Sequence, residues 1–306
     1  MFASFISSED LTWLFAVTTL VYQIPSFVTS LASRKVESPM INTVATDLDG
    51  TLLNSRHHFN TALFTKVLAR IKQVDGHLVI ASGEQLDWCE QHFAEWQGQL
   101  AFVAANGAVV EDEKGRLILA NQLTASELRD VRQALAANNL NCFIIGGIRS
   151  SYALAESPRP FRQMIAFYYP HLKTIQQWSA VEGPVIKVAV AVPEKRERQA
   201  AAKLNQNLSD RLRAIVGGNG ELDILKVGTG KAPALQVLLD HFHTNSSHLL
   251  VFGDQLNDAG MFRLAGESCA VANAVREIKQ LATKVIGTND DGAVLKELAK
   301  RFNVAR

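Results

Sequence analysis

Cysteine is scarce in this chain. Cys89, Cys142 and Cys269 are scattered and odd in number, with no CxxC or CxxH spacing, which excludes a disulfide framework and a zinc knuckle. Such usage fits a reducing compartment, so a cytoplasmic location is expected. An excess of either charge is also lacking: 31 Lys and Arg stand against 30 Asp and Glu, a formal net charge of +1. Nothing in that balance points to nucleic acid or an anionic membrane as partner, although a local anion site remains open. Of the eight histidines, none pairs with another His or a Cys at metal-ligand spacing, and His57-His58 reads as a solvated turn pair. No GxGxxG follows a strand. "GTGKAP" resembles the end of a phosphate loop, but Leu225 stands where the first glycine belongs and Ala232 where Ser or Thr would reach a metal. Low-complexity tracts are missing too.

One long uncharged run is present, Leu11 to Ser33, and its length could span a bilayer. Thr and Ser interrupt it throughout, Gln23 and Pro25 sit mid-run, and the acidic "SSED" before it is the reverse of a secretory signal. Three readings of residues 1–40 stay open: a dispensable segment before a true start at Met40, an extra helix, or a membrane anchor. If residues 11–33 did insert, Arg34 and Lys35 behind them would favour keeping the remainder in the cytoplasm. Membrane contact is expected only in that case.

At 306 residues and 47% hydrophobic content the chain can bury a substantial core. From Ile41 onward, apolar strand-like runs alternate with helical patterns, the order expected of an α/β fold with helices on the faces of a parallel sheet. Thr43 to Leu48, "HLVIA" and "LAFVAA" read as its first strands, and Asn106-Gly107 as a turn into a hairpin ending near Ala120. The rhythm changes at "LTASELRDVRQALAANN", where Thr124 and Glu127 form a capping box. A second, α+β domain is expected over 121–220, with two helix-strand-strand passages and a return hinge at the "GGNG" of Gly217 to Gly220. The first domain then comprises 41–120 and 221–306, resuming with a helix from Lys231 to His241 and the strand "HLLVFGD".

In parallel sheets ligands bind beyond the carboxyl ends of the strands. The residues just past those ends are Asp47 and Asp49, then Ser82 and Gly83, then Asp254, Asn257 and Asp258 of "GDQLND", while Lys231 opens a helix. Asp47 and Asp49 lie two apart, so they face the same way where the strand ends, and Gly50 allows the turn that follows. Adjacent carboxylates repel unless a cation or a division of protons separates their roles. Four acids, a lysine, a hydroxyl and free amides at one rim suit a phosphate together with a hard cation.

"DLDGTLL", "VIASG", "GTGKAPAL" and "GDQLNDAGMF", in this order, resemble the four motifs of haloacid dehalogenase-like hydrolases. The insertion and the endings "AVANAVREIKQLA" and "TNDDGAVLKEL" resemble the Cof-type subfamily. "AFVAANGAVV" and "GGIRSSYALAESP" are most similar to its bacterial sugar phosphatases. The likeness runs from Ile41 to the C-terminus. It implies a Rossmann-like core with an inserted cap of αββ repeats, and a phosphatase of small phosphate esters that uses Mg2+. Carried over, it makes Asp47 the nucleophile and Asp49 the acid that protonates the leaving oxygen and then activates water. Asp47, the Asp49 carbonyl and Asp254 would hold the metal with Asp258 in support, while Ser82, the Gly83 amide, Lys231 and Asn257 would bind the phosphoryl oxygens. Arg149, Ser150 and Tyr152 are expected to touch the sugar. A phosphomutase and a non-catalytic phospho-ligand sensor are the alternatives. Glu84 departs from the Arg that many Cof-type proteins place after Ser-Gly, and is expected to add negative charge beside the substrate.

Overall fold

The computed structural model describes residues 41–169, 171–218 and 220–305. The N-terminal extension, with its three readings, lies outside them. Among the described residues no helix is long and apolar enough to cross a membrane.

The first sheet is built outward from β1 (Thr43–Thr46), every residue of which is buried. It pairs in parallel with β2 (His77–Ala81) on one side and β12 (Leu249–Gly253) on the other. The full order is β14-β13-β12-β1-β2-β3-β4-β5, where β3 is Ala101–Ala104, β4 Val109–Glu111, β5 Leu117–Ala120, β13 Glu267–Ala270 and β14 Lys284–Val285. Only β4 runs against the others, pairing antiparallel with β3 and with β5 in the hairpin expected to end near Ala120. Val44, Ala45, Leu250 and Val251 are fully buried, as continuous apolar runs must be when both faces of a parallel sheet are covered.

Helices supply that cover. In α1 (Thr61–Gln73), Asn60 caps the start by accepting from the Leu63 amide, and Phe64, Val67, Leu68 and Ile71 form the buried stripe. Helix α2 (Leu86–His92) follows β2. Further on, Lys231–His241, here numbered α6, buries Ala234, Leu235, Leu238 and Leu239. The crossovers from β1 lead to β2 on one side, while β12 lies on the other. The carboxyl end of β1 therefore opens at the crevice where ligands bind in such sheets.

Between β5 and α6 lies a second sheet, ordered β10-β11-β9-β6-β7-β8. Its strands are β6 (Phe143–Gly147), β7 (Ser151–Leu154), β8 (Leu172–Ile175), β9 (Val185–Ala191), β10 (Leu212–Gly218) and β11 (Glu221–Lys226). Helices α3 (Ala125–Ala137) and α5 (Glu197–Asn205) pack on one face through Val131, Leu135, Ala201 and Leu204 against Val188, Val190, Leu222 and Ile224. Helix α4 (Arg159–Tyr168) covers Ile144, Ala153 and Ala189 on the other face through Phe161 and Ile165. The capping box at Thr124 and Glu127 is formed.

One boundary differs from the sequence expectation. Gly217–Gly220 does not return the chain to the first sheet, because Leu212 to Gly218 pairs antiparallel with Glu221 to Lys226, and the latter strand also pairs with β9. β10 and β11 form a hairpin, and the insert continues through Lys226. Alternating Leu222 and Ile224 face the core shared with α3 and α5; a glycine cluster serves a hairpin as readily as a hinge, so composition did not separate the two.

Candidate active site

The strand ends converge as the spacing predicted. After β1 the chain turns sharply, with Thr51 and Leu53 amides both donating to the Leu48 carbonyl. Gly50 takes φ +76°, and a Cβ there would lie 2.6 Å from Asp254 Oδ2. Only glycine allows that left-handed turn and that close approach at little cost. Thr51 Oγ1 donates to Asp254 Oδ1 at 2.9 Å, tying the two loops together.

Lys231, at the first turn of α6, is fully buried and donates to Asp47 Oδ1 at 2.6 Å and Asp258 Oδ1 at 2.7 Å. Burial works against its charge, yet Asp258 and Asp47 hold its pKa above the ordinary lysine range. Asp258 accepts from the Asp254 and Gln255 amides through Oδ2, at 2.9 and 3.1 Å. Both its oxygens are therefore occupied by the protein, which suits the supporting place expected for it.

Asp47, Asp254 and Asp258 offer carboxylate oxygens within 4.8 Å of one another, and this is the cluster of metal-ligand type found among the described residues. Burial and the charges of Asp47 and Asp258 push Asp254 up to about 8; burial leads again in raising Asp258 to about 6. A single lysine does not neutralise three buried acids, so this donor set fits a hard divalent cation. The Asp49 side chain stands apart, one-third exposed, with His57 Nδ1 3.2 Å from its Oδ1. His57, read from sequence as a turn residue, thus reaches the expected acid-base group. Its signal was weak because the contact is made by a loop of positive φ at His57 itself.

Ser82 is buried at the end of β2, and its hydroxyl accepts from the Glu84 amide at 3.0 Å, leaving its own proton free to donate. Asn257 Nδ2 donates to Asn106 Oδ1 at 3.0 Å. Asn106, at the end of β3, was read only as a turn residue, yet it is buried and φ is 54°. Beside it Gly107 packs against Gly230, where a Cβ would meet the carbonyl oxygen at 2.2 Å. A cavity of about 540 Å3 borders Asn106, Lys231 and Asn257 and reaches Arg213 of the insert.

The three residues expected to touch a sugar are held by other protein groups, Ser150 Oγ donating to the Tyr152 hydroxyl at 3.4 Å. Tyr152 is buried within the insert's core and donates to the Glu182 carbonyl at 2.8 Å. Arg149 pairs instead with Glu90 and Glu111 of the first sheet's side of the molecule, at 2.8 and 2.5 Å. The alternation of β7 turns Tyr152 toward α3, which the loop-like sequence around it concealed. Glu84 also departs from expectation: burial, then Asp49 and Glu221, push it up to about 8. Its surroundings thus favour the protonated form over the added charge that was expected.

The family model of haloacid dehalogenase-like hydrolases matches residues 44–298. The chain belongs to that family, and it is a hydrolase of Cof type. It is similar to an Escherichia coli K12 protein named 5-amino-6-(5-phospho-D-ribitylamino)uracil phosphatase, at 28% identity over 85% of this chain and 96% of that one. A Serratia proteamaculans protein named HMP-PP phosphatase is 25% identical over 83% and 93% of the two chains. The crystal structure of SMU.1108c from Streptococcus mutans superposes with a TM-score of 0.80 at 26% identity, covering 86% of this chain and 99% of the other. A HAD/COF-like hydrolase from Plasmodium vivax shares the fold, with a TM-score of 0.77 at 22% identity over 87% and 96%.

Proposed function

We propose that this hydrolase is a magnesium-dependent phosphatase of small phosphorylated metabolites, with sugar and sugar-alcohol phosphates favoured, acting through an aspartyl-phosphate on Asp47. The observation that carries this reading is the meeting of Lys231 with Asp47 and Asp258 beside Asp254, at the carboxyl ends of β1 and β12. Two relatives named as phosphatases support it, and one is named for a phosphate on a ribityl chain.

Hydrolysis of a phosphate monoester needs roughly 20 kcal/mol or more of barrier reduction, much of it by neutralising charge on the transferring group. Magnesium, held by Asp47, the Asp49 carbonyl and Asp254, would supply part of that neutralisation. Lys231, Ser82, the Gly83 amide and Asn257 bind the phosphoryl oxygens. Asp47 attacks phosphorus as the bond to the leaving oxygen breaks, and Asp49 gives that oxygen its proton. A water then loses a proton to Asp49 and attacks the aspartyl-phosphate, releasing inorganic phosphate and restoring Asp47. The insert acts as a cap over these steps and selects the leaving group.

The test is phosphate release from a panel of sugar and sugar-alcohol phosphates and a chromogenic ester, with and without magnesium, for wild type and Asp47→Asn. Release that requires both magnesium and Asp47 is expected. A wild type that binds the esters and releases nothing would instead favour a non-catalytic sensor.

A further inference from the structure

A chain of buried polar groups runs from the cap to the phosphoryl-binding loops. Lys187 of β9 and Asp223 of β11 share the face opposite α3 and α5, and their side chains are 2% and 0% exposed. Lys187 Nζ lies 3.1 Å from Asp223 Oδ1 and 3.4 Å from Glu221 Oε1, and it donates to the Gly83 carbonyl at 3.0 Å. Asn106 Nδ2 donates to Asp223 Oδ2 at 2.6 Å. Asn257 Nδ2 in turn donates to Asn106 Oδ1, while Asn257 Oδ1 is buried with no hydrogen-bond partner.

The direction of this chain is informative. An amide can present either its oxygen or its NH2 group, whereas a carboxylate beside a lysine only accepts. If Asn106 and Asn257 were both turned over, the Asn106 NH2 would donate to the Asn257 oxygen that is now left alone, but the Asn106 oxygen would then face the Asp223 carboxylate. A buried polar atom without a partner is costly. The observed orientation is therefore imposed from the other end, where Asp223 requires a donor. Burial works against a charged Lys187, yet Asp223 and Glu221 hold its pKa well above the ordinary value, so the lysine stays charged beside Asp223.

We propose that Asp223, paired with Lys187, is a positioning residue that acts from the cap through Asn106 to turn the NH2 group of Asn257 toward the phosphoryl site. One N–H of Asn257 is held by Asn106 and the other is left to meet a phosphoryl oxygen. Phosphate affinity thereby depends on a residue that need not touch the phosphate, and on the cap being seated over the core loops. The inference rests on the phosphatase reading.

The experiment is calorimetric titration of inorganic phosphate, with magnesium present, into wild type, Asp223→Asn and the double variant Lys187→Gln/Asp223→Asn. The double variant removes the buried lysine together with its buried partner and leaves only the half-exposed Glu221 without it, so it stays informative if the single variant fails to fold. Each variant is expected to bind phosphate about tenfold more weakly, the loss of one hydrogen bond to a charged group. KM for an ester should rise in parallel while kcat changes less, a split that loosened packing alone would not give. Asp223→Glu, which still only accepts, should recover part of the affinity. Unchanged phosphate affinity in a folded double variant, with wild type hydrolysing esters, overturns the inference and leaves the phosphatase standing. A wild type that neither binds phosphate nor hydrolyses esters overturns both.

Discussion

Lys231 and Asp47 meet at 2.6 Å across 184 residues of sequence. The contact joins the helix that follows the insert to the strand that precedes it, so this rim of the first sheet closes only when both segments flanking the insert have assembled. Its partner Asp258 is equally buried. Removing one member of such a buried set leaves the others uncompensated, at a cost of about 3–5 kcal/mol. Lys231→Met is therefore expected to lose activity and to unfold at a markedly lower temperature. Magnesium should restore part of that loss by replacing the missing positive charge. Thermal unfolding with and without the metal checks this, and a variant as stable as wild type would contradict the charge balance described here.

Gly50 offers a separate handle on the acids proposed to hold the metal. Alanine at φ +76° is strained by about 1 kcal/mol, and its Cβ would sit 2.6 Å from Asp254 Oδ2. Asp254 must move, while Lys231 and Asp47 are not in the way. Gly50→Ala is expected to raise the magnesium concentration needed for half-maximal activity, by about tenfold or more. Activity against magnesium concentration measures it; an unchanged metal requirement would remove Asp254 from the metal site.

His57 tests how much an exposed contact matters. Its side chain is 66% exposed, and the 3.2 Å approach to Asp49 is solvated. Exposed pairs contribute about 0–1 kcal/mol. His57→Ala should then lower kcat by less than about tenfold, whereas Asp49→Ala, which removes the proposed proton donor, should lower it by about 100-fold or more. Steady-state kinetics on one ester separates the two. A His57→Ala loss as large as that of Asp49→Ala would make the histidine part of the proton-transfer machinery.

The strand-end residues were legible because the parallel rhythm fixes where strands stop. Asp47, Ser82 and Asp254 each follow an apolar run, and a run of that kind has few alternatives to a buried strand. Lys231 could be placed at a helix start, but its two carboxylate partners follow from tertiary closure alone. Asn106 and Asp223 were not legible as a pair. One lies in a turn and the other on a cap strand 117 residues later, and no periodicity links positions joined only by docking of the two sheets. The insert's boundary failed for a related reason, since the glycines at Gly217 and Gly218 are compatible with either a hinge or a hairpin. Tyr152 was misplaced because three residues of apparent loop preceded a strand whose alternation turns it inward.

Glu84 carries the final prediction, because its environment reverses the ordinary pH dependence of a carboxyl group. Burial comes first in raising it from 4.5 to about 8; Asp49, Glu221 and Asp223 add to the rise, and Lys187 opposes it. In the unfolded chain the group ionises near 4.5, while in the folded protein it keeps its proton to about 8. Between those values the folded state binds the extra proton, so stability falls as pH rises. The contribution is complete below pH 4.5 and is lost as pH climbs through about 8. Gln is the neutral counterpart of the protonated acid and does not titrate. Glu84→Gln should match wild type near pH 5 and exceed it in stability near pH 9, with urea midpoints at the two pH values as the measurement. A difference that is the same at both would mean that Glu84 is ionised throughout, and that this chain places a full negative charge beside the Ser82–Gly83 loop.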